Sequence, residues 1–129
     1  TLITRGSPGT KGSKISTGLD VDGTLSMTGG TLIAFNGLEN SPSSNDSLKY
    51  AGTTAEKMSG KSTNSSLTLS AGIYKLSGND MDISFINDYI YGSFLIYSSN
   101  LANNTTFTLS RSDSAVFSWK QSSNSVTIS

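Results

Sequence analysis

The chain of 129 residues carries nine basic and nine acidic side chains, a formal net charge of zero, and charges scattered in this way leave no electrostatic footprint for nucleic acid. It contains neither His nor Cys, which excludes Ser-His-Asp catalysis, thiol nucleophiles, zinc-finger arrangements and disulfides. Ser, Thr, Asn and Gly make up about half of the sequence, yet charged residues are only 14% and apolar residues recur at period two, the pattern of sheets with a solvated face and not of a charge-rich disordered chain.

Residues 1–14, TLITRGSPGTKGSK, begin with a short apolar strand and run into a Gly/Pro/Ser/Lys turn region. Thr1, without a preceding Met, reads as the start of a processed product or a fragment, and no apolar run reaches membrane length, so membrane insertion is not expected. Residues 15–37 hold three very short strands, 19–21, 25–27 and 31–35, separated by Asp-Gly and Gly-Gly corners. Short strands between glycine corners are the signature of a β-solenoid coil, which buries its core only when a neighbour stacks above or below it.

Residues 38–61 contain Pro42, many Ser and Asn and few apolar side chains, and read as a surface excursion with a helical turn near 55–58. From residue 62 the pattern becomes an antiparallel meander with strands at 66–70, 72–77, 82–86, 90–98, 105–110, 115–120 and 125–129, each followed by a turn signal. The expected fold is therefore all-β: one domain with short β-solenoid coils over 1–37, the excursion over 38–61, and an antiparallel, sandwich-like meander over 62–129.

The order of these features resembles a known family. The coil GLDVDGTLSMTGGTLIAFNG, a Ser-rich excursion and then LTLSAGIYKLSGNDMDISFINDYIYGSFLIYSSNLANNTTFTLS together resemble, over 17–110, the C-terminal coil and cap of the bacterial carbohydrate-binding-domain family built as a right-handed parallel β-helix. The resemblance implies a noncatalytic module that binds polysaccharide outside the cell or at its surface. It requires no cofactor, and calcium is the cation it allows. The family's acidic corner pairs correspond here to Asp20 and Asp22, which alternate on one strand and so share a face, although an Asp before Gly is also an ordinary turn residue. Two departures stand out: members carry several coils before the cap where this chain has one or two, and the tail SDSAVFSWKQSSNSVTIS follows the usual end.

The densest aromatic segment is DYIYGSFLIYS, residues 88–98. Period two places Tyr89, Tyr91, Leu95 and Tyr97 on one face and Ile90, Phe94 and Ile96 on the other. The Ile/Phe face is core. The face with Tyr89, Tyr91 and Tyr97 is a sugar-stacking platform, the second face of a buried strand, or a protein interface. Asp80, Asp82 and Asp88 lie at turns and form no recognisable acid/base pair, so no enzymatic activity is expected. Asn45, Asn64, Asn103 and Asn104 begin Asn-x-Ser/Thr sequons, which matter only in a eukaryotic secreted protein. The alternative to glycan binding is a structural subunit of an extracellular fibre or adhesin, a homopolymer assembled through strand addition with residues 112–129 as donor.

Overall fold

A computed structural model describes residues 1–6, 18, 25–36, 48–53 and 68–128. Among them the fold is all-β: β1 (Leu2–Arg5), β2 (Thr31–Phe35), β3 (Lys49–Gly52), β4 (Gly72–Gly78), β5 (Met81–Asn87), β6 (Phe94–Ser98), β7 (Thr106–Arg111), β8 (Ser114–Lys120) and β9 (Ser125–Thr127). These strands form two open sheets, a mixed sheet in the order β1-β2-β6-β3-β9 and an antiparallel sheet in the order β5-β4-β7-β8.

Two kinds of strand sequence explain the two sheets. In β4, GIYKLSG, Tyr74 and Leu76 are buried while Ile73 and Lys75 are exposed, and β5 and β7 alternate in the same way. Such strands need only one covered face. TLIAF in β2 and FLIYS in β6 are apolar without alternation, and every residue of both is buried. They pair side by side in the interior of the mixed sheet, in register from Thr31↔Ser98 to Phe35↔Phe94, where both faces can be covered.

The inner faces of the two sheets meet in a shared core. Ile33, Phe35, Phe94 and Ile96 from the mixed sheet pack with Tyr74, Leu76, Phe107, Leu109 and Trp119 from the antiparallel one. Phe94 lies at the centre, its ring 5.8 Å from Phe35, 5.7 Å from Phe117 and 6.4 Å from Trp119. On the opposite face of the mixed sheet Leu32, Ala34, Tyr50, Leu95 and Tyr97 form a second cluster, with Leu25 and Met27 packed against it.

The turns set the registers. Ser112 and Asp113 join β7 to β8 with φ of 49° and 64°, two consecutive left-handed residues that match the twist of a tight hairpin. Gly78 precedes the Asn79-Asp80 turn between β4 and β5 with φ 146°, a conformation that side chains rarely adopt. A Cβ there would stand 2.7 Å from the Thr106 carbonyl oxygen and press on the Phe107 ring. Gly78→Ala is therefore expected to cost about 2–3 kcal/mol from backbone strain and overpacking combined. Urea unfolding measures it, and an unchanged midpoint would contradict the assignment.

The structure departs from the sequence reading in four places. Within the expected coil region, residues 19–24 lie outside those described, 25–27 form only an isolated bridge at Ser26, and 31–35 is the strand β2 as expected. β2 has a parallel neighbour, β1, on one side and an antiparallel one, β6, on the other, so it belongs to a mixed open sheet instead of a stack of parallel rungs. The expected excursion contains β3, whose Tyr50, Ala51 and Gly52 are buried, while the helical turn near 55–58 lies outside the described residues. The meander after residue 62 divides: β4, β5, β7 and β8 stay together, whereas β6 and β9 belong to the other sheet, and of 66–70 only Leu69 makes a bridge, to Tyr91. Finally, the tail is not a spare donor strand. β8 pairs with β7, and β9 pairs in parallel with β3 of its own chain.

One polar residue ties these parts together. Gln121 is fully buried just after β8; its Nε2 donates to the carbonyls of Tyr50 (2.8 Å) and Ser123 (3.0 Å), and its Oε1 accepts from the Trp119 indole (2.9 Å). The end of the antiparallel sheet is thereby fastened to β3 and to the turn that leads into β9.

Candidate functional site

The solvent face of the antiparallel sheet is built by the outward-pointing alternate residues of its strands. Ile86 of β5 is the cross-strand partner of Ile73 of β4, and both are largely exposed, at 60% and 63%. The next rows follow from the same registers: Ser84 beside Lys75 beside Ser110, then Asp82 beside Ser77 beside Thr108 beside Ser118. An apolar patch at one end thus grades into a field of hydroxyls.

Polar contacts fix this surface. Lys75 Nζ lies 3.4 Å from the Asp82 carboxylate, and the Thr108 and Ser118 hydroxyls share a hydrogen bond of 2.8 Å across β7 and β8. The Ser110 hydroxyl donates to the Lys75 carbonyl at 3.4 Å. Because both members of the ion pair are more than half exposed, water competes for them and they stay available to a ligand. Between Ile73, Lys75, Ser84, Ser110, Ser112 and Asp113 the face sinks into a cleft of about 350 Å³. Asp113, which the hairpin turn holds in a left-handed conformation, is one of its lining residues.

A second cleft of about 360 Å³ lies at the edge of the mixed sheet, lined by Leu2, Leu25, Met27, Gly30 and Leu32 among others. Its described lining is mainly apolar, and among the described residues no charged side chain lines it.

The structure does not bring the three tyrosines of the sequence reading together. Tyr89 is 62% exposed, whereas Tyr91 and Tyr97 are buried at 3% and 7%. Tyr91 packs into the inter-sheet core 5.4 Å from Phe35, and Tyr97 packs on the other side of the mixed sheet 5.1 Å from Tyr50. The alternation breaks at Gly92 and Ser93, where the backbone bends between the Tyr91 bridge and the start of β6, so counting by twos across them assigns the wrong face. Burial raises the Tyr91 hydroxyl pKa; nearby Arg5 opposes this, and Asp88 and Tyr89 add to it.

Asp20, Asp22, Asn45 and Asn64 lie outside the described residues. Asn103 and Asn104 occupy an exposed turn, Asn104 with φ 60°, and the Asn103 side-chain amide donates to Asn124 at 3.4 Å. Among the described residues no three His, Cys, Asp or Glu side chains gather in a way that would hold a metal ion, and no helix is long and apolar enough to cross a membrane. Comparison of the chain with models of protein families, with curated proteins and with solved structures finds no match.

Sequence reasoning passed over Ile73, Ile86 and the cleft residues Lys75, Ser84, Ser110, Ser112 and Asp113. A signal was present in GIYKLSG and MDISFIN, where the parity that buries Tyr74 and Phe85 sends Ile73 and Ile86 outward. Two β-branched residues on the solvated parity of adjacent strands form a small exposed apolar patch.

Proposed function

We propose that this chain is a noncatalytic, extracellular polysaccharide-binding module whose ligand lies on the solvent face of β4, β5 and β7. The observation that carries the reading is the exposed Ile73–Ile86 pair beside a hydroxyl-lined cleft. A pyranose ring presents an apolar C–H face flanked by hydroxyls, and such a ring fits a flat aliphatic patch bordered by Ser, Lys and Asp groups that both donate and accept hydrogen bonds. Tyr89, three residues beyond Ile86, is the exposed member of the original tyrosine set and supplies a stacking ring.

Retention of the purified chain on insoluble glycans tests the proposal. The double variant Ile73→Asp/Ile86→Asp is expected to weaken retention at least fivefold with folding intact, and Tyr89→Ala to weaken it by a smaller factor. Tyr91→Ala and Tyr97→Ala should instead lower the melting temperature, because they remove buried rings. Full retention by a folded Ile73→Asp/Ile86→Asp variant would remove this face from the account.

A further inference from the structure

We propose, on the reading that glycan lies on the outer face of the antiparallel sheet, that its cleft takes a cationic amino sugar. The ammonium of an unacetylated hexosamine unit lies against Asp113 and the Ser110 hydroxyl while its ring covers Ile73 and Ile86. The hairpin turn between β7 and β8 sets this arrangement. The Ser112 N–H donates to the Ile73 carbonyl at 3.0 Å, which fastens the turn to β4 and holds Asp113 at the border of the exposed isoleucine pair. One row further along the strands, Ser84 and Ser110 flank Lys75 on either side and complete the wall of the cleft.

Charge is the first argument. Lys75 and Asp113 both line the cleft, but the Lys75 ammonium already has the Asp82 carboxylate 3.4 Å away, whereas Asp113 has no cationic partner among the described residues. The three groups together therefore leave one negative charge beside the apolar patch. Lys120, on the same face, stands across from Thr106, four residues along β7 from Ser110; that is about 14 Å, more than a Debye length at ordinary salt. At the far edge of β5, Arg5 and Asp88 supply one charge of each sign, both near Tyr91. A uronate would bring a second carboxylate toward Asp113 and be repelled, while an ammonium is matched in sign.

Hydrogen-bonding capacity agrees with the charge. A carboxylate accepts only, and the Ser110 hydroxyl spends its proton on the Lys75 carbonyl at 3.4 Å, so its remaining lone pairs also accept. An ammonium carries three donors and no acceptor, the complement of that pair. N-acetylation replaces those donors with a single N–H, removes the charge and adds a carbonyl that faces the Asp113 carboxylate. The cleft thus discriminates between two glycans that differ only at nitrogen.

Titration of the purified chain with soluble glucosamine oligomers, and with N-acetylglucosamine and galacturonate oligomers of the same length, tests the proposal. The glucosamine series is expected to bind about fivefold tighter than its acetylated counterpart at low salt, the upper end for an exposed ion pair, and the galacturonate series weakest. Raising the salt should shrink the first difference. Asp113→Asn keeps a residue that tolerates the left-handed turn, so the fold is retained and the ratio should fall toward one. Lys75→Gln releases the Asp82 carboxylate and should raise the ratio, a gain that damage to the fold would not produce. Asp80→Asn makes the same charge change in the turn at the other end of β4 and should leave the ratio as it was. Equal binding of the two series, or a ratio unmoved by Asp113→Asn, would overturn the amino-sugar inference while amide shifts at Ile73 and Ile86 kept the glycan reading in place. Absence of binding by every oligomer would overturn both.

Discussion

Replacing Gln121 with Leu should lower the stability of this chain by about 3 kcal/mol, although the new side chain is apolar and close in size. The substitution strands the Trp119 indole N–H in a buried site and deprives the Tyr50 and Ser123 carbonyls of a donor. A buried polar group left without its partner costs about 1–3 kcal/mol, and the gain from a buried Leu offsets only part of the sum. Since a domain of this size has on the order of 5–15 kcal/mol to lose, the shift should be plain in a urea titration. Trp119 is the sole tryptophan, so its fluorescence reports the transition without interference. A midpoint within error of the wild type would mean that Gln121 does not fasten the sheets.

Truncating Phe94 to Ala should cost more, about 3–5 kcal/mol. Phe94 is completely buried and lies against Phe35 from its own sheet and Phe117 and Trp119 from the other, so its loss opens a cavity that the rigid flanking strands cannot collapse. Phe117→Ala is the control: Phe117 is only partly buried, and its removal should cost less than half as much. Equal losses for the two variants, measured by thermal unfolding, would contradict a core centred on Phe94.

The contrast between these residues shows what the sequence alone could convey. β4, β5 and β7 were legible to within a residue or two because alternating burial writes period two directly into GIYKLSG, MDISFIN and TFTLSR, and β8 was legible from its apolar residues between two turn signals. FLIYS and TLIAF were legible as strands but not as neighbours, since an apolar run records that both faces are covered without recording by what. β3 was hidden because KYAG is four residues long in polar surroundings and gains its burial from pairing with β6 and β9, a long-range choice. Gln121 was invisible for a related reason: nothing local marks a glutamine whose three partners come from residues 50, 119 and 123.

The candidate site followed the same division. Tyr89, Tyr91 and Tyr97 were grouped by counting through Gly92 and Ser93, where the bend separates the frames, so that Tyr91 enters the inter-sheet core while Tyr97 of β6 packs on the far side of the mixed sheet. The Ile73–Ile86 pair depends on a register that the Asn79-Asp80 turn sets, and the cleft beside it depends on the Ser112-Asp113 hairpin, so both emerge only when the turns are known.

The central claim, that glycan is held on the outer face of the antiparallel sheet, is tested most directly by following the backbone amide resonances of the folded chain during titration with soluble oligosaccharides from whichever glycan retains it. The account predicts saturable shifts concentrated at Ile73, Lys75, Ser84, Ile86, Ser110, Ser112 and Asp113. Shifts that instead cluster around Leu2, Met27 and Leu32, or a spectrum unmoved by every glycan tried, would contradict it.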